Sequence, residues 1–304
     1  MIKESWTVGD ILITRVCEAE VASPGGPGSM LPDATPAALS EMAWLRPHFV
    51  TEEYHLVMSI HALLIQSPDA RLIVDTCVGN DKTRNLANFN HLNNNFLNSL
   101  NNAGWSRESV TDVLCTHLHV DHVGWNTMLV EGQWVPTFPK ARYHFGREEY
   151  EFWLSEMNGG GENGINPELR YALDDVATFN DSVKPIVDAG LVHLVESTAE
   201  IAPGVRLIPT PGHTPGHVSV LLESKNRQAV ITGDVFHHPC QIGRPQWAGS
   251  FDFSAEAASS MRGKFLELFA GEDVLVIGTH FSSPTAGWIK FNGSGFSFSA
   301  LHAK

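Results

Sequence analysis

Thr116-His117-Leu118-His119-Val120-Asp121-His122 places three imidazoles and one carboxylate within six residues. That donor set suits zinc and similar divalent metals. His117 and His119 stand two apart, so in an extended segment their side chains share one side. Asp121 and His122 follow at once and face a second metal if the chain turns there. Residues 110–115, just before, read as a buried strand. Donors at the mouth of a strand are well placed for a site, because the strand fixes the backbone and the loop aims the side chains.

Three later segments repeat the pattern of an apolar strand ending in a donor. Thr210-Pro211-Gly212-His213-Thr214-Pro215-Gly216-His217 makes a rigid turn that presents His213. Ile231-Thr232-Gly233-Asp234 ends in a carboxylate, and Val274-Leu275-Val276-Ile277-Gly278-Thr279-His280 ends in an imidazole. The donors then number seven, the count a two-metal site needs. His117, His119 and His213 would hold one metal, Asp121, His122 and His280 the other, and Asp234 would bridge them with a shared hydroxide. His217 reads as packing against its loop rather than ligating. His61, His91, His144, His193 and His302 have no partners in sequence and stand as background.

Around these segments the chain alternates strands and helices. Strands are expected at 10–22, 56–66, 71–75, 110–115, 191–196, 204–209, 217–223, 229–233, 273–278 and 286–291. Helices are expected near 36–45, 92–103, 146–157, 167–178 and 254–270. In the last, Ala258, Met261, Phe265, Leu268 and Phe269 follow helical spacing. Gly159-Gly160-Gly161 reads as a flexible break. The order, β-rich then α/β and the same again, predicts two similar halves packed sheet to sheet with helices outside, in one domain over 1–304. Residues 23–50, rich in Pro, Gly and Ala, read either as a surface excursion with a short helix or as a lid or dimer-contact arm.

The 304 residues carry a formal net charge of −14. That excess of acid argues against nucleic acid as a partner, which needs Lys/Arg stripes. Neither a signal peptide nor an apolar stretch of about 18 residues is present, so no membrane partner is expected. The four cysteines, Cys17, Cys77, Cys115 and Cys240, form no CxxC pair, which fits a reducing, cytoplasmic setting. The expected partner is a small, partly apolar substrate, and a homodimer is a candidate assembly.

The full arrangement resembles the metallo-β-lactamase superfamily, since Asp75, the HxHxDH segment, His213, Asp234 and His280 stand in that family's order. The resemblance implies an α+β fold, a four-layer αβ/βα sandwich of two mixed sheets with the metals in the groove between them. Asp75 would then be a structural aspartate bonding the ligand loops from behind. His119, where the oxygen-reducing di-iron branch has Glu, disfavours redox chemistry. Asp234, where the zinc β-lactamases have Cys or Ser, weakens a β-lactamase role. The chain lacks the basic arms of the RNA-processing branches, and residues 292–304 lack the basic cluster a glyoxalase II uses for glutathione.

Residues 58–64, 74–81 and 233–239 look most like the N-acyl-homoserine lactonase and organophosphate-hydrolase-like group. Those lactonases have Tyr three residues after the bridging Asp; here the position is His237. The resemblance implies a dinuclear hydrolase, most readily with two Zn²⁺ ions, that cleaves a lactone or related ester. Organophosphate, aryl ester and β-lactam substrates are the alternatives; a glyoxalase-like thioesterase or a non-catalytic metal scaffold stands behind them. Asp121 would pass a proton to the leaving group and His237 would donate to the substrate carbonyl. Trp44, Phe49, Phe236, Trp247 and Phe251 are the aromatic candidates for an apolar substrate pocket.

Overall fold

The computed structural model describes residues 4–23, 30–159 and 174–301. The first half of the chain supplies β1 (Ser5–Val8), β2 (Ile11–Ala22), β3 (Val57–Gln66), β4 (Arg71–Val74), β5 (Asp112–Cys115), the hairpin β6 (Thr127–Val130) and β7 (Gln133–Pro136), then β8 (Arg142–Gly146) and β9 (Val192–Val195). The second half supplies β10 (Glu200–Ala202), β11 (Val205–Pro209), β12 (Val218–Ser224), β13 (Arg227–Ile231), β14 (Val274–Ile277), β15 (Ala286–Phe291) and β16 (Phe296–Ala300). They form two seven-stranded sheets, in the orders β1-β2-β3-β4-β5-β8-β9 and β10-β11-β12-β13-β14-β15-β16, with β6 and β7 apart.

The helices follow from the strand directions. Parallel neighbours need a long crossover, usually helical. The short α1 (Pro36–Ser40) lies between β2 and β3, while β4 and β5 are parallel and α2 (Phe96–Asn102) lies in their connection. β8 and β9 are parallel and α3 (Arg147–Met157) lies between them in sequence. β13 and β14 are parallel, joined through α4 (Ala255–Phe269), whose N-cap Ser254 accepts from the Ala257 amide. Three buried clusters separate the layers. One lies between the sheets, with Ile13, Leu63, Leu72 and Leu114 against Val205, Leu207, Val220 and Ile277. A second joins the first sheet to α2 and α3, and a third joins the second sheet to α4 and residues 30–58. Each large apolar side chain sealed this way contributes roughly 1.5–3 kcal/mol. This is the four-layer sandwich of two mixed sheets that the family resemblance implies, and it agrees with the two sheet-to-sheet halves expected from the element order.

Several details depart from the expectations. On α4, Leu268 is 62 % exposed, while Arg262 is fully buried on the inward face with Phe265 and Phe269. The expected helix at 36–45 is a short α1 and a separate 3₁₀ turn, Ala43–Leu45. α2 starts only at Phe96, after three asparagines that favour turns over helix. The strands β1, β6, β7, β8, β10 and β16 were not expected. Residues 24–29, 160–161 and 167–173, parts of the expected arm, glycine break and helix, lie outside the described residues, as does His302. No helix among the described residues is long and apolar enough to cross a membrane.

Candidate metal centre

Buried strands from both sheets end at one place. β5 stops at Cys115 and the chain turns through His117–His122; β11, β13 and β14 stop shortly before His213, Asp234 and His280. The loop after β5 is bent rather than extended, yet His117 and His119 converge, ring centroids 4.5 Å apart. One donor atom each from His117, His119 and His213 lie within 4.8 Å of one another, and the same holds for Asp121, His122 and His280. His213 Nε2 is 2.9 Å from His119 Nδ1, and His280 Nε2 is 3.2 Å from His122 Nε2. Asp234 lies between the sets, its Oδ2 3.4 Å from His213 Nε2 and 3.2 Å from His280 Nε2, its Oδ1 3.5 Å from His122 Nε2. The structure thus brings all seven sequence-derived donors together.

Groups behind the donors set which ring nitrogen faces inward. His280 Nδ1 donates to the Ser59 carbonyl, 2.9 Å; a carbonyl only accepts, so Nε2 is the nitrogen turned to the other donors, and it offers a lone pair once its proton has left. His122 Nδ1 is 3.0 Å from Asp75 Oδ2, and His213 Nδ1 is 3.0 Å from Asp252 Oδ1. Asp75 also accepts from the Thr116 amide, 2.8 Å, and hydroxyl, 2.9 Å, tying β4 to the start of the ligand loop. Asp252 was not singled out from sequence; it sits in a Gly- and Ser-containing loop with no donor pattern, and only the fold brings it to His213 and Arg262. His217 has both nitrogens engaged: Nδ1 with Thr210, and Nε2 accepting from the Asp234 amide, 2.8 Å. Gly233 (φ +53°) permits this, because a Cβ there would meet His217 Nε2 at 2.5 Å.

The electrostatics fit a cation. Burial pulls His117 and His119 well below the usual imidazole range, so both are neutral donors. Burial also opposes charge on His280, but Asp234 and Asp121 outweigh it and raise this group to about 9. Asp234, despite burial, is held well down by His280, His122 and His117. His117 Nε2 and Asp234 Oδ1 are buried without a hydrogen-bond partner. Inward imidazole nitrogens 3.2 Å apart and orphaned buried acceptors repel one another unless positive charge, a proton or a metal ion, lies among them. The donor set, imidazole nitrogen and carboxylate oxygen, is one that divalent zinc-like ions take.

His237 lies at the edge of this cluster. Its Nε2 is 3.4 Å from Asp234 Oδ2, its ring lies parallel to His280 at 6.2 Å, and neither nitrogen has a hydrogen-bond partner although the residue is 2 % exposed. The aromatic pocket candidates are placed otherwise. Phe236 packs edge-on against Phe265 of α4, and Phe49 against Phe298 and His238. With Trp247, and with Trp44 packed against them, they fill the layer outside the second sheet, which is core packing rather than a pocket wall. Phe251 packs with the other outer cluster. Nearer the donors, Leu118, Trp153 and Phe179 line a small recess beside His119.

The family model for the metallo-beta-lactamase superfamily matches residues 56–280. The chain belongs to this superfamily. Its relatives include an N-acyl homoserine lactonase of a Bacillus species, 24% identical over 188 residues, 58% of this chain and 63% of that one. A probable metallo-hydrolase of Mycobacterium tuberculosis is 25% identical over 198 residues, 61% of this chain and 59% of that one. The chain therefore spans somewhat less than two thirds of the length of these curated relatives. Among solved structures, the hydrolase AbOPH of the beta lactamase superfamily is 26% identical with a TM-score of 0.81, covering 99% of this chain and 98% of that one. AidC, a dizinc quorum-quenching lactonase, shares the fold at a TM-score of 0.81 and 21% identity, with the same coverage.

Proposed function

We propose that this superfamily member is a hydrolase holding two divalent ions, Zn²⁺ first among the candidates, and that it opens a lactone or a related ester. The observation that carries this reading is the pair of three-donor groups meeting at one shared carboxylate, Asp234. His117, His119 and His213 would hold one ion, and Asp121, His122 and His280 the other. When bound, such ions lower the pKa of water and polarise a carbonyl or phosphoryl oxygen.

The chain's own residues supply the rest. His237 is the group free to donate to a substrate oxygen, since both of its nitrogens lack partners and burial, the main influence, holds it neutral by lowering it to about 4. Asp121 is the proton carrier: its side chain is 18% exposed where that of Asp234 is 4% exposed, so it can exchange protons with solvent. Its oxygens lie 3.6 Å from His122 Nε2 and His280 Nε2. The names of the lactonase relatives support the choice of ester over amide.

The test is metal analysis of the loaded chain with a panel of lactones of different acyl length, aryl esters, a phosphotriester and a chromogenic cephalosporin. About two ions per chain and fastest turnover of lactones are expected. Faster turnover of the cephalosporin would replace lactone with β-lactam, and no turnover on any member would leave a metal scaffold. In the same assay His237→Phe is expected to lower kcat about 10²-fold with metal content unchanged, the usual loss for one oxyanion donor.

A further inference from the structure

Glu149 is a carboxylate with 1 % exposure, outside the seven donors. It stands in the first turn of α3, and four groups donate to it. Oε1 accepts from the Leu118 amide, 3.0 Å, and the Trp153 indole, 2.7 Å. Oε2 accepts from the Thr214 hydroxyl, 2.7 Å, and the Gly216 amide, 3.1 Å. Leu118 lies between His117 and His119; Thr214 directly follows His213. The loops so joined come from different sheets and carry all three donors of the first set. A Cβ on Gly216 would lie 2.2 Å from the Glu149 amide nitrogen, so the approach depends on that glycine. Trp153, one turn along α3, also lays its ring edge against His119, centroids 5.6 Å apart. Burial pushes the Glu149 carboxyl up, while these four bonds pull it down. Amides and indole can only donate, so the arrangement is completed by an ionised carboxylate accepting on both oxygens.

We propose that Glu149 is a positioning residue that sets the metal affinity of the His117–His119–His213 set and leaves the Asp121–His122–His280 set unaffected. The physical reason is that three imidazoles from two loops bind one ion well only if the loops keep a fixed separation, and Glu149 fixes that separation. The second set receives none of its bonds. This inference rests on the two-metal reading above.

Glu149→Gln tests it. The amide keeps one accepting oxygen but turns an NH₂ group toward two donors. The full chain is stripped with a chelator and titrated with Zn²⁺ against a competing chelator, with circular dichroism and thermal melting as controls. One binding step should weaken about 10–100-fold, the range for partners behind metal ligands, while the other stays within about twofold. The effect should persist in a His280→Ala background and vanish in a His213→Ala background. Equal weakening of both steps, or no change in either, would overturn the proposal. If Glu149→Gln does not fold, Thr214→Val removes one of the four donors, and a several-fold loss confined to the same step is expected; no loss or an even loss counts against the proposal. A parent chain that binds fewer than two ions defeats the two-metal reading instead, whatever the variant does.

Discussion

The two donor sets share Asp234 yet are built on different principles. The first is all imidazole, and its His213 is backed by Asp252, whose other oxygen meets the buried Arg262 guanidinium at 3.3 Å. The second contains a carboxylate of its own, Asp121; its His122 is backed by Asp75, and its His280 by the uncharged Ser59 carbonyl. Arg262 offsets the charge behind the first set, whereas the groups on Asp75 other than His122 are the neutral amide and hydroxyl of Thr116. The second set therefore carries more negative charge and should tolerate harder, oxygen-preferring ions better than the first.

Removing what the sets share should erase the comparison. Asp234→Ala is expected to lose both ions and to lower turnover on the order of 10³-fold, a few kcal/mol of transition-state stabilisation. Metal analysis showing one ion still bound would mean that the sets are independent rather than bridged.

Removing what differs should sharpen it. Asp75→Asn and Asp252→Asn each turn an amide toward an imidazole N–H. Losses of roughly 10–100-fold in affinity are expected, one set each. The loss at Asp75 should be the larger, because Arg262 already moderates Asp252. Stepwise Zn²⁺ titration reads this directly, and equal losses would show that Arg262 does not moderate the first set.

An effect of comparable size, outside both sets, concerns acid. His238 Nε2 donates to the Phe49 carbonyl, 2.7 Å, and its Nδ1 accepts from the Cys240 amide, 3.2 Å. The same Phe49 carbonyl accepts from the Val57 amide, at the start of the strand that carries Ser59. A second proton on His238 has no acceptor, and burial lowers the group to about 4. An unfolded histidine titrates near 6.5, so the unfolded chain binds more protons between these values. Stability is full above about pH 6.5 and falls as pH drops toward 4, by up to about 3 kcal/mol from this residue. Urea midpoints at pH 7.5 and 5 check this. His238→Asn should flatten the slope, and an unchanged slope would place the acid sensitivity elsewhere.

The donors were legible because each interrupts or ends an apolar run, where a charged or polar residue has no packing reason to stand. Two sheets were legible for the same reason: buried strands such as β3 and β14 are nearly continuous in apolar residues. Glu149 was not legible, because acidic residues in a first helical turn ordinarily face water and favour the helix dipole. Its burial comes from loops about 30 and 65 residues away. Arg262 was hidden likewise, since its charge is balanced by a residue on a neighbouring loop. β16 carried a readable signal, the strict alternation Phe296-Ser297-Phe298-Ser299, whereas β8 is short and mixes Arg, His and Gly with its apolar residues.

The backbone at Asp75 narrows what can stand there. Its φ is +56°, a region that glycine enters freely and that asparagine and aspartate enter more readily than other residues. Its side chain must also accept from an amide, a hydroxyl and an imidazole N–H together. Conformation favours three residue types, and the three donors favour the one whose two oxygens both accept. A single position thus acts as two filters in series, and aspartate satisfies both.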